Sequence, residues 1–570
     1  MSKTKLLLLA LLASMVSVAQ TANRHDVVIT EIMADPTPVV GLPNAEYLEI
    51  KNISATAFNI SGWKISDATS TATISASFLL QPDSILILCA NSNVASFSVF
   101  GKTIGVTSFP SLNNDGDVLT LRSPQNKVVH TVPYTSEWYG NAAKKNGGWS
   151  LEMIDTKNPC GGKENWKASV SNLGGTPGKI NSVNGANPDT TPPRLLRTYT
   201  TDSVTINLVY NEPLDSASGA TLINYSLSGI KITAASTIAP RFQIVQLKLA
   251  TPLLPSTLYN ITVSNVTDCK GNAIGAYNKA KIGVPQNAAP QDVVVNEILY
   301  NPKTPGSDYV EFYNKSKKVV DASKLYIANR SSAGAVASLK KISEDPFYIF
   351  PGDYIVVTAD AAILKMQYLV KNEDALLQLS SLPSYPDNKG TVVLIDINGT
   401  IVDEVAYEDN WQFALINNVD GVALERIDPS GNSNDKNNWH SAASTAGFGT
   451  PTYKNSQYKL IDPINATIEV LPKIFSPDND GTDDVTTIYY KVEASGYVAN
   501  VTIFDASGRT VKYLVRNALL GVKGSWNWDG LGEKNNKLPI GTYIVYTEIF
   551  NLQGKKKSFT NTVVLARKLN

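Results

Sequence analysis

An internal duplication is the feature of this sequence that most constrains its fold. The segment ITEIMADPTP at Ile29–Pro38 returns as VNEILYNPKTP at Val295–Pro305. Three later pairs keep the same order: EYLEIKN with DYVEFYN, GGWSLEMID with DGVALERID, and NWKASVSNLGGTPGKIN with NWHSAASTAGFGTPTYKN. Because self-similarity that holds its register marks a repeated structural unit, residues 24–181 and 291–458 are predicted to be two domains of one family.

Residue alternation inside each copy is typical of β-strands. In EYLEIKN, Leu48 and Ile50 fall on one face and Glu49 on the other, and the second copy repeats this two-residue period. Turn signals such as Asp115-Gly116 separate the strands. The best candidate for a short helix is DAAILKMQYLV at Asp360–Val370.

The length and the charge balance set limits on the molecule. A chain of 570 residues is expected to hold about three to five domains. Lys and Arg together number 50, and so do Asp and Glu. Nothing global therefore steers the chain toward nucleic acid or an anionic membrane, and we expect no nucleic-acid partner.

The first 19 residues have the pattern of a signal peptide. Lys3 and Lys5 precede an apolar run at Leu6–Val18, and small residues allow cleavage after Ala19. The run is shorter than the roughly 20 residues that a membrane-spanning helix needs. We expect a mature chain without a transmembrane segment, secreted or held at the outer cell surface.

The three cysteines are too few for a disulfide framework. Cys89 lies in the apolar run SILILCA and is interpreted as a core residue. Cys160 and Cys269 lie in loop-like stretches of two different predicted domains, and they could pair only if those domains touch.

Both copies resemble the lamin-tail domain of exported bacterial proteins. The residues that carry the resemblance are the Glu-Ile start with its proline-containing loop, the EYLEIKN or DYVEFYN strand, and the closing L-E-x-I-D, N-W and G-T-P motifs. The resemblance implies an immunoglobulin-like β-sandwich. One departure is Trp63 in ISGWKISD, since the second copy has DASKLYIAN without a tryptophan, and we expect different packing there.

The segment between the copies, residues 189–286, resembles the bacterial Ig-like domain of surface-layer proteins. About seven short strands in this length also suit a β-sandwich. The matching residues are Asn211-Glu212-Pro213-Leu214-Asp215, Asn224-Tyr225, Leu258-Tyr259 and Asp268 with Gly271-Asn272.

The last segment, residues 465–570, resembles the C-terminal Ig-like module of gliding-motility-associated and type IX-secreted surface proteins. It is also similar to the Ig-like domain of the flagellar hook-capping family. This resemblance implies a sorting or surface-attachment module, and the fold class expected for the chain is all-β, with tandem immunoglobulin-like β-sandwich domains. The matching residues are Phe475-Ser476-Pro477, Trp528-Asp529-Gly530 and Pro539, Gly541, Thr542 and Tyr543.

The segment SPDNDGTDD is a candidate calcium site. Crowded carboxylates beside a flexible glycine suit Ca²⁺, which prefers oxygen ligands. Thr487 stands where an EF-hand loop would carry its bidentate glutamate, and the alternative is a solvated turn. The candidate ligands are Asp478, Asp480, Asp483 and Asp484.

Acidic residues recur at equivalent places in the two copies. Paired carboxylates can serve glycoside hydrolysis, bind a cation or have a structural role. Glu46 and Glu49 point to opposite faces of a regular strand, which favours the structural role. The full set is Glu31, Glu46 and Glu49 with Glu297, Asp308 and Glu311.

Aromatic residues in matching loops are candidate ligand contacts. Trp138 and Tyr139 follow HTVPY, and Trp411 follows DEVAY. If exposed, such rings can stack on sugars, and if buried they close the core.

The function expected from these observations is that of a non-enzymatic scaffold or adhesin. The three histidines, His25, His130 and His440, are isolated, and the common catalytic motifs are missing from the sequence. Expected partners are cell-surface proteins or extracellular polysaccharide. The alternatives are a polysaccharide-binding accessory protein, and an enzyme (nuclease or glycosidase) for which the predicted domains leave no catalytic segment.

Overall fold

The computed structural model describes residues 21–458, 465–493, 496–552 and 555–567. The predicted signal peptide lies outside these residues. The chain forms two compact units: one runs to Gln286 and includes residues 318–321 and 345–350, and the other holds the remainder from Asn287.

The first lamin-tail copy consists of twelve strands in the described residues. They are β1 (Val27–Met33), β2 (Tyr47–Asn52), β3 (Phe58–Asn59), β4 (Lys64–Ser66), β5 (Thr71–Thr73), β6 (Leu79–Leu80), β7 (Ile85–Ala90), β8 (Thr103–Val106), β9 (Gly116–Arg122), β10 (Val128–Thr135), β11 (Leu151–Met153) and β12 (Trp166–Ala168). A short helix, α1 (Val94–Phe97), lies between β7 and β8.

These strands form a two-layer sandwich. The larger sheet has the order β12-β11-β1-β2-β7-β8, the second has the order β10-β9-β4-β5, and β3 pairs with β6. Leu48 and Ile50 of the larger sheet share one buried cluster with Leu119 and Leu121 of the second. The alternation predicted for β2 is therefore correct for its apolar face.

The Ig-like segment follows in the same unit. Its strands are β13 (Leu195–Asp202), β14 (Thr205–Tyr210), β15 (Tyr225–Leu227), β16 (Ile232–Thr237), β17 (Ile244–Leu249), β18 (Tyr259–Val263) and β19 (Lys279–Ile282), with helix α2 at Ser216–Gly219. They form the sheets β13-β14-β17-β16 and β15-β18-β19. Ile206, Val245 and Ile261 lie in the core between them.

A disulfide joins the first copy to the Ig-like segment. Cys160 and Cys269 are bonded, with their Cα atoms 6.4 Å apart. The Arg24 guanidinium also donates to the Leu214 carbonyl at 2.6 Å. The two domains therefore touch, which meets the condition that the sequence set for this pair, while Cys89 is free and buried.

The second lamin-tail copy repeats the strand plan of the first. Its strands are β20 (Val293–Leu299), β21 (Tyr309–Asn314), β22 (Val320–Asp321), β23 (Leu325–Arg330), β24 (Val336–Lys341), β25 (Tyr348–Ile349), β26 (Tyr354–Thr358), β27 (Leu376–Gln378), β28 (Lys389–Asp396), β29 (Ile401–Glu408), β30 (Leu424–Arg426) and β31 (Trp439–Ser441). The main sheet has the order β27-β26-β21-β20-β30-β31, which is the order of the first copy, and the second sheet is β24-β23-β28-β29.

Two sequence predictions concern this copy. Helix α3 (Ala361–Gln367) begins after Asp360, whose carboxylate accepts the Ile363 N–H at 2.9 Å, so the short helix is confirmed. The packing difference at Trp63 is also real. Leu325, 1% exposed, occupies the place that the buried Trp63 indole fills in the first copy.

The C-terminal segment forms a further sandwich. Its strands are β32 (Ala466–Leu471), β33 (Ile474–Phe475), β34 (Thr486–Val492), β35 (Tyr497–Asp505), β36 (Thr510–Leu519), β37 (Lys523–Trp528), β38 (Gly541–Asn551) and β39 (Lys556–Leu565). They form the sheets β32-β34-β37 and β33-β39-β38-β35-β36 around the fully buried Trp528. The all-β class of tandem immunoglobulin-like sandwiches is thus confirmed.

Short 3₁₀ turns occupy several of the connecting loops. They lie at Asn91–Asn93, Ser136–Tyr139, Lys144–Asn146, Lys163–Asn165, Leu222–Asn224, Ala322–Lys324, Glu373–Ala375, Asp409–Trp411, Lys436–Asn438 and Ser444–Ala446.

Candidate functional site

Each lamin-tail copy holds a row of three buried glutamates on adjacent strands. In the first copy, Glu31 of β1 is in register with Glu152 of β11 on one side and with Glu49 of β2 on the other. The three side chains are at most 1% exposed. Because Glu49 alternates with Leu48 and Ile50, the row lies on the sheet face opposite the sandwich core.

A segment that follows β12 covers this row. We call residues 175–183 the first strap. It donates one backbone N–H to each carboxylate: Thr176 to Glu31 at 2.7 Å, Gly178 to Glu49 at 2.8 Å and Val183 to Glu152 at 3.1 Å. A polar sheet face that would otherwise meet water is thereby sealed.

Side chains complete the hydrogen bonding of the row. Glu31 accepts from the Tyr47 hydroxyl and the Ser150 hydroxyl, each at 2.6 Å. The Asn181 side chain ties the strap to the strands by donating to the Thr30 carbonyl and the Met153 carbonyl, each at 2.8 Å. Glycine is needed at Gly175, because a Cβ there would lie 2.7 Å from the Glu31 carboxylate.

The second copy has the same arrangement. Glu297 of β20 is in register with Glu425 of β30 and Glu311 of β21, and all three are fully buried. Residues 449–457, the second strap, again supply one N–H to each carboxylate: Thr450 to Glu297 at 2.9 Å, Thr452 to Glu311 at 2.6 Å and Gln457 to Glu425 at 2.8 Å.

Burial dominates the electrostatics of both rows. Desolvation, followed by the neighbouring Glu152, raises the pKa of Glu31 to about 7. The same two causes, with Glu425 as the neighbour, raise the pKa of Glu297 to about 8. Burial also raises the pKa of Glu49 and Glu311 well above the usual range. Each row therefore retains protons near neutral pH.

The rows suit a structural role better than catalysis. Buried carboxylates covered by a strap cannot reach a polymer substrate. Glu46 is not in the row: it lies immediately before β2, and its carboxylate accepts the Leu112 N–H at 3.3 Å. Sequence reasoning missed Glu152 and Glu425, although the matching segments SLEMID and ALERID carried the signal.

The predicted calcium ligands lie in an exposed turn. The carboxylates of Asp478, Asp480 and Asp484 approach within 4.8 Å of one another, whereas Asp483 is not part of this group. Asp484 already accepts the Asn479 N–H at 2.6 Å and the Gly481 N–H at 2.9 Å. These bonds describe a capped turn, and Ca²⁺ binding stays a prediction.

A second acidic group lies in the first unit. The carboxylates of Asp189, Glu212 and Asp268 also approach within 4.8 Å. Burial and the two aspartates raise the pKa of Glu212 to about 7. The sequence placed Glu212 and Asp268 in the Ig-like motif without relating them to each other.

The three candidate ligand-binding aromatics differ in exposure. Tyr139 is 4% exposed and belongs to the core, which is the buried one of the two alternatives that the sequence left open. Trp138 and Trp411 are half-buried, and each packs on a buried tryptophan, Trp166 or Trp439, at a centroid distance of 6.3 Å. Their binding role stays a prediction.

Within the described residues, no helix has the length and hydrophobicity needed to cross a bilayer.

Solved structures offer only loose similarities. The S-layer protein rSbsC(31-844) is 9% identical, with 66% of this chain and 54% of that chain covered, at a TM-score of 0.16. The N-terminal part of the S-layer protein SbsC is 14% identical. The match covers 29% of this chain and 40% of that chain, at a TM-score of 0.15. A Ca²⁺-stabilized adhesin of an Antarctic bacterium is 10% identical. The match covers 96% of this chain and 100% of that chain, at a TM-score of 0.14. The chain spans less than two thirds of either S-layer structure, and superpositions this loose carry no conclusion about function.

Family comparisons are more specific. The curated proteins include no match to the chain. The lamin tail domain family matches residues 20–136 and 286–409, and the type IX secretion signal domain family matches residues 469–565. The chain therefore contains two lamin tail domains and a C-terminal type IX secretion signal domain, which is the domain composition of an exported protein.

Proposed function

We propose that this chain is a non-enzymatic protein that acts at the outer cell surface as a scaffold or adhesin. The secretion signal domain at residues 469–565 supports export. The observation that carries the non-enzymatic role is the burial of both glutamate rows beneath their straps. The glutamates of the two rows thus serve to close the fold, and the sandwiches provide rigid modules for display.

Deletion of residues 465–570 tests the export step. In a host with type IX secretion, we expect the full chain to be accessible to protease added outside intact cells and the shortened chain to be retained inside. A full chain carrying the exposed substitution Asp83→Asn serves as the control for expression. Equal surface exposure of the shortened and full chains would exclude export through this domain.

Cell attachment tests the scaffold or adhesin role. Cells that display the full chain and cells that lack it are compared for detachment under flow from surfaces coated with envelope proteins of the same host. We expect the displaying cells to detach at higher shear. Identical detachment curves, together with turnover of any polymer by the purified chain, would favour an enzyme.

Polysaccharide binding is a second candidate function. It is favoured by the matching positions of Trp138 and Trp411, which are half-exposed and backed by a buried tryptophan in each copy. Rings held in this way can stack on a sugar. Affinity electrophoresis in gels containing soluble polysaccharides tests it. Retardation that is lost in Trp138→Ala with Trp411→Ala would support this function, and migration equal to that in a plain gel would reject it.

A further inference from the structure

An open groove lies at one end of the second lamin-tail copy. It forms between the loop at 302–308 and the loop at 380–387 and encloses about 540 Å³. Pockets for small-molecule ligands typically have volumes of about 300–1,000 Å³. Serine and aspartate residues make about half of the lining polar, and alanine, leucine, tyrosine and proline side chains supply its apolar surface. It consists of Pro302, Gly306, Ser307, Asp308, Ala359, Ser380, Ser381, Leu382, Pro383, Ser384, Tyr385, Pro386 and Asp387.

The corresponding acid in the first copy has an internal partner. Glu46 immediately precedes the equivalent strand, and its carboxylate accepts the Leu112 N–H at 3.3 Å. The loop that carries Leu112 is fixed by the Tyr134 hydroxyl, which donates to the Asn113 carbonyl at 2.7 Å. The glutamate is thus used to close its own loop.

The second copy keeps the loop in place and leaves its acid free. The Tyr407 hydroxyl donates to the Pro386 carbonyl at 2.9 Å, as Tyr134 does in the first copy. Asp308 is one methylene shorter than Glu46. Across the described ranges, its carboxylate accepts no hydrogen bond and forms no ion pair, and the same holds for Asp387.

The groove carries negative charge without an internal cation. Its lining includes neither lysine nor arginine. The side chain of the nearby Lys303 lies along Gly421, where an added Cβ would meet its Cγ at 2.6 Å. Burial and the Asp387 carboxylate raise the pKa of Asp308 to about 7. A positive group that entered the groove would therefore relieve the repulsion between the two acids.

The remaining lining suits a chain rather than a compact ion. Ser380, Ser381 and Ser384 offer hydroxyls that can bond to peptide groups, and the groove is open to solvent. Proline rings provide apolar contact for the methylene stem of a lysine or arginine. We propose that this groove binds an extended basic peptide segment, with Asp308 and Asp387 receiving one ammonium or guanidinium group.

Fluorescence anisotropy with dye-labelled hexalysine tests the proposal on the full chain. Hydrogen bonds to charged groups are roughly twice as strong as neutral ones, so we expect Asp308→Asn with Asp387→Asn to weaken binding by at least about tenfold. Asp115→Asn, an exposed acid in the corresponding loop of the first copy, should leave the affinity unchanged. An unchanged thermal transition of each variant shows that folding is intact.

Two further probes decide the chemistry. Hexalysine acetylated at every side chain and a neutral cello-oligosaccharide are measured in the same way, and both should bind at least about tenfold more weakly than hexalysine if the charge is what is recognised. The proposal is overturned if hexalysine fails to bind at millimolar chain concentration or binds the double variant equally well. It is also overturned if either neutral probe binds as tightly as hexalysine. The groove would act in this way whether the chain serves as scaffold or as adhesin.

Discussion

The two lamin tail domains solve the same hydrogen-bonding problem with different residues. In the first, the Ile29 N–H of β1 donates to His130 Nδ1 at 2.9 Å. In the second, the Val295 N–H of β20 donates to the Asp403 carboxylate at 2.8 Å. Both acceptors are nearly inaccessible to water. The fold requires a buried acceptor at this position and tolerates either a neutral ring or a charge.

The neighbouring residues change together with the acceptor. Met153 pairs with Trp166 in the first domain, and Arg426 takes that place opposite Trp439 in the second. Arg426 forms a fully buried ion pair with Asp403, at 3.3 Å. A neutral acceptor thus has a neutral neighbour and a charged acceptor has an opposite charge, as the cost of burying a lone charge demands.

The loop before the N-W motif differs in the same way. Cys160 of the first domain is bonded to the Ig-like segment. Ser433 stands at the equivalent position, five residues after the I-D motif, and donates to Asp403 at 2.5 Å and accepts from Arg426. The same position therefore forms a disulfide between two domains in the first copy and completes a charged hydrogen-bond network in the second.

Breaking the buried ion pair is expected to have the largest effect. Arg426→Met gives the second domain the residue of the first but leaves the Asp403 charge without a partner, which should destabilise it by about 3–5 kcal/mol. Adding Asp403→His supplies the neutral acceptor of the first domain and should recover part of the loss. Urea denaturation of the full chain, followed by hydrogen exchange of peptides from β20 and β30, measures the loss in the single variant and the recovery in the double variant. Equal stability of the single variant and the parent would contradict the requirement for a paired charge.

Removing the disulfide should have the next largest effect. Cys160→Ser with Cys269→Ser gives the first domain the serine of the second and opens a cross-link between residues 109 positions apart. A loss of about 2–5 kcal/mol is expected in the first unit, because long closed loops constrain the unfolded chain most. Calorimetry with and without a reductant measures the loss. Reductant should lower the unfolding temperature of the parent protein and leave that of the double variant unaffected. A parent whose unfolding temperature is insensitive to reductant would argue against a stabilising bridge.

The sequence predicted the strands more readily than the site, for a physical reason. Alternation in EYLEIKN is a local property, and it correctly set Glu49 opposite Leu48 and Ile50. Whether the polar face meets water depends on the strap at 175–183, which lies more than 120 residues further along the chain. The pairing of Glu31 with Glu152 is likewise a long-range register. The internal repeat showed that equivalent acidic residues occur in both copies, but only the fold showed that they lie next to one another.

Lowering the pH should change the stability of the two domains differently. Burial lowers the pKa of His130 from 6.5 to about 4. Between these values the unfolded chain binds the extra proton, so the His130 contribution is present above pH 6.5 and lost as the pH falls toward 4, up to roughly 3 kcal/mol. The carboxyl groups act oppositely. Their raised pKa gives stability that is present below pH 4.5 and lost as the pH rises through about 7 for Glu31 and about 8 for Glu297.

We therefore expect the second domain to gain stability on acidification from pH 8 to pH 5, and the first domain to gain less because His130 opposes the change. Hydrogen exchange of strap peptides, corrected for the intrinsic rate at each pH, reports each domain separately. His130→Gln should remove part of the opposition and bring the first profile closer to the second, because burial also lowers the pKa of His25 in the same domain. Parallel profiles in the parent chain would show that His130 does not act in this way.

The smallest expected effect comes from one hydroxyl that distinguishes the two glutamate rows. Ser150 donates to Glu31 at 2.6 Å, and Ala423 occupies the matching place beside Glu297. Ser150→Ala should cost about 1 kcal/mol at pH 8. It should also raise the pKa of Glu31 above 7, toward the value of about 8 for Glu297, because the hydroxyl favours the charged form.

The reciprocal change Ala423→Ser provides the matched control, since it places the same hydroxyl beside Glu297. The pH midpoint of strap exchange should move upward in the first domain for Ser150→Ala and downward in the second for Ala423→Ser. If both variants leave their midpoints in place, the difference between the rows arises from the burial of the carboxyl groups and not from this hydrogen bond. If only the midpoint of Ser150→Ala moves, the added hydroxyl of Ala423→Ser has no room beneath the second strap to reach the Glu297 carboxylate.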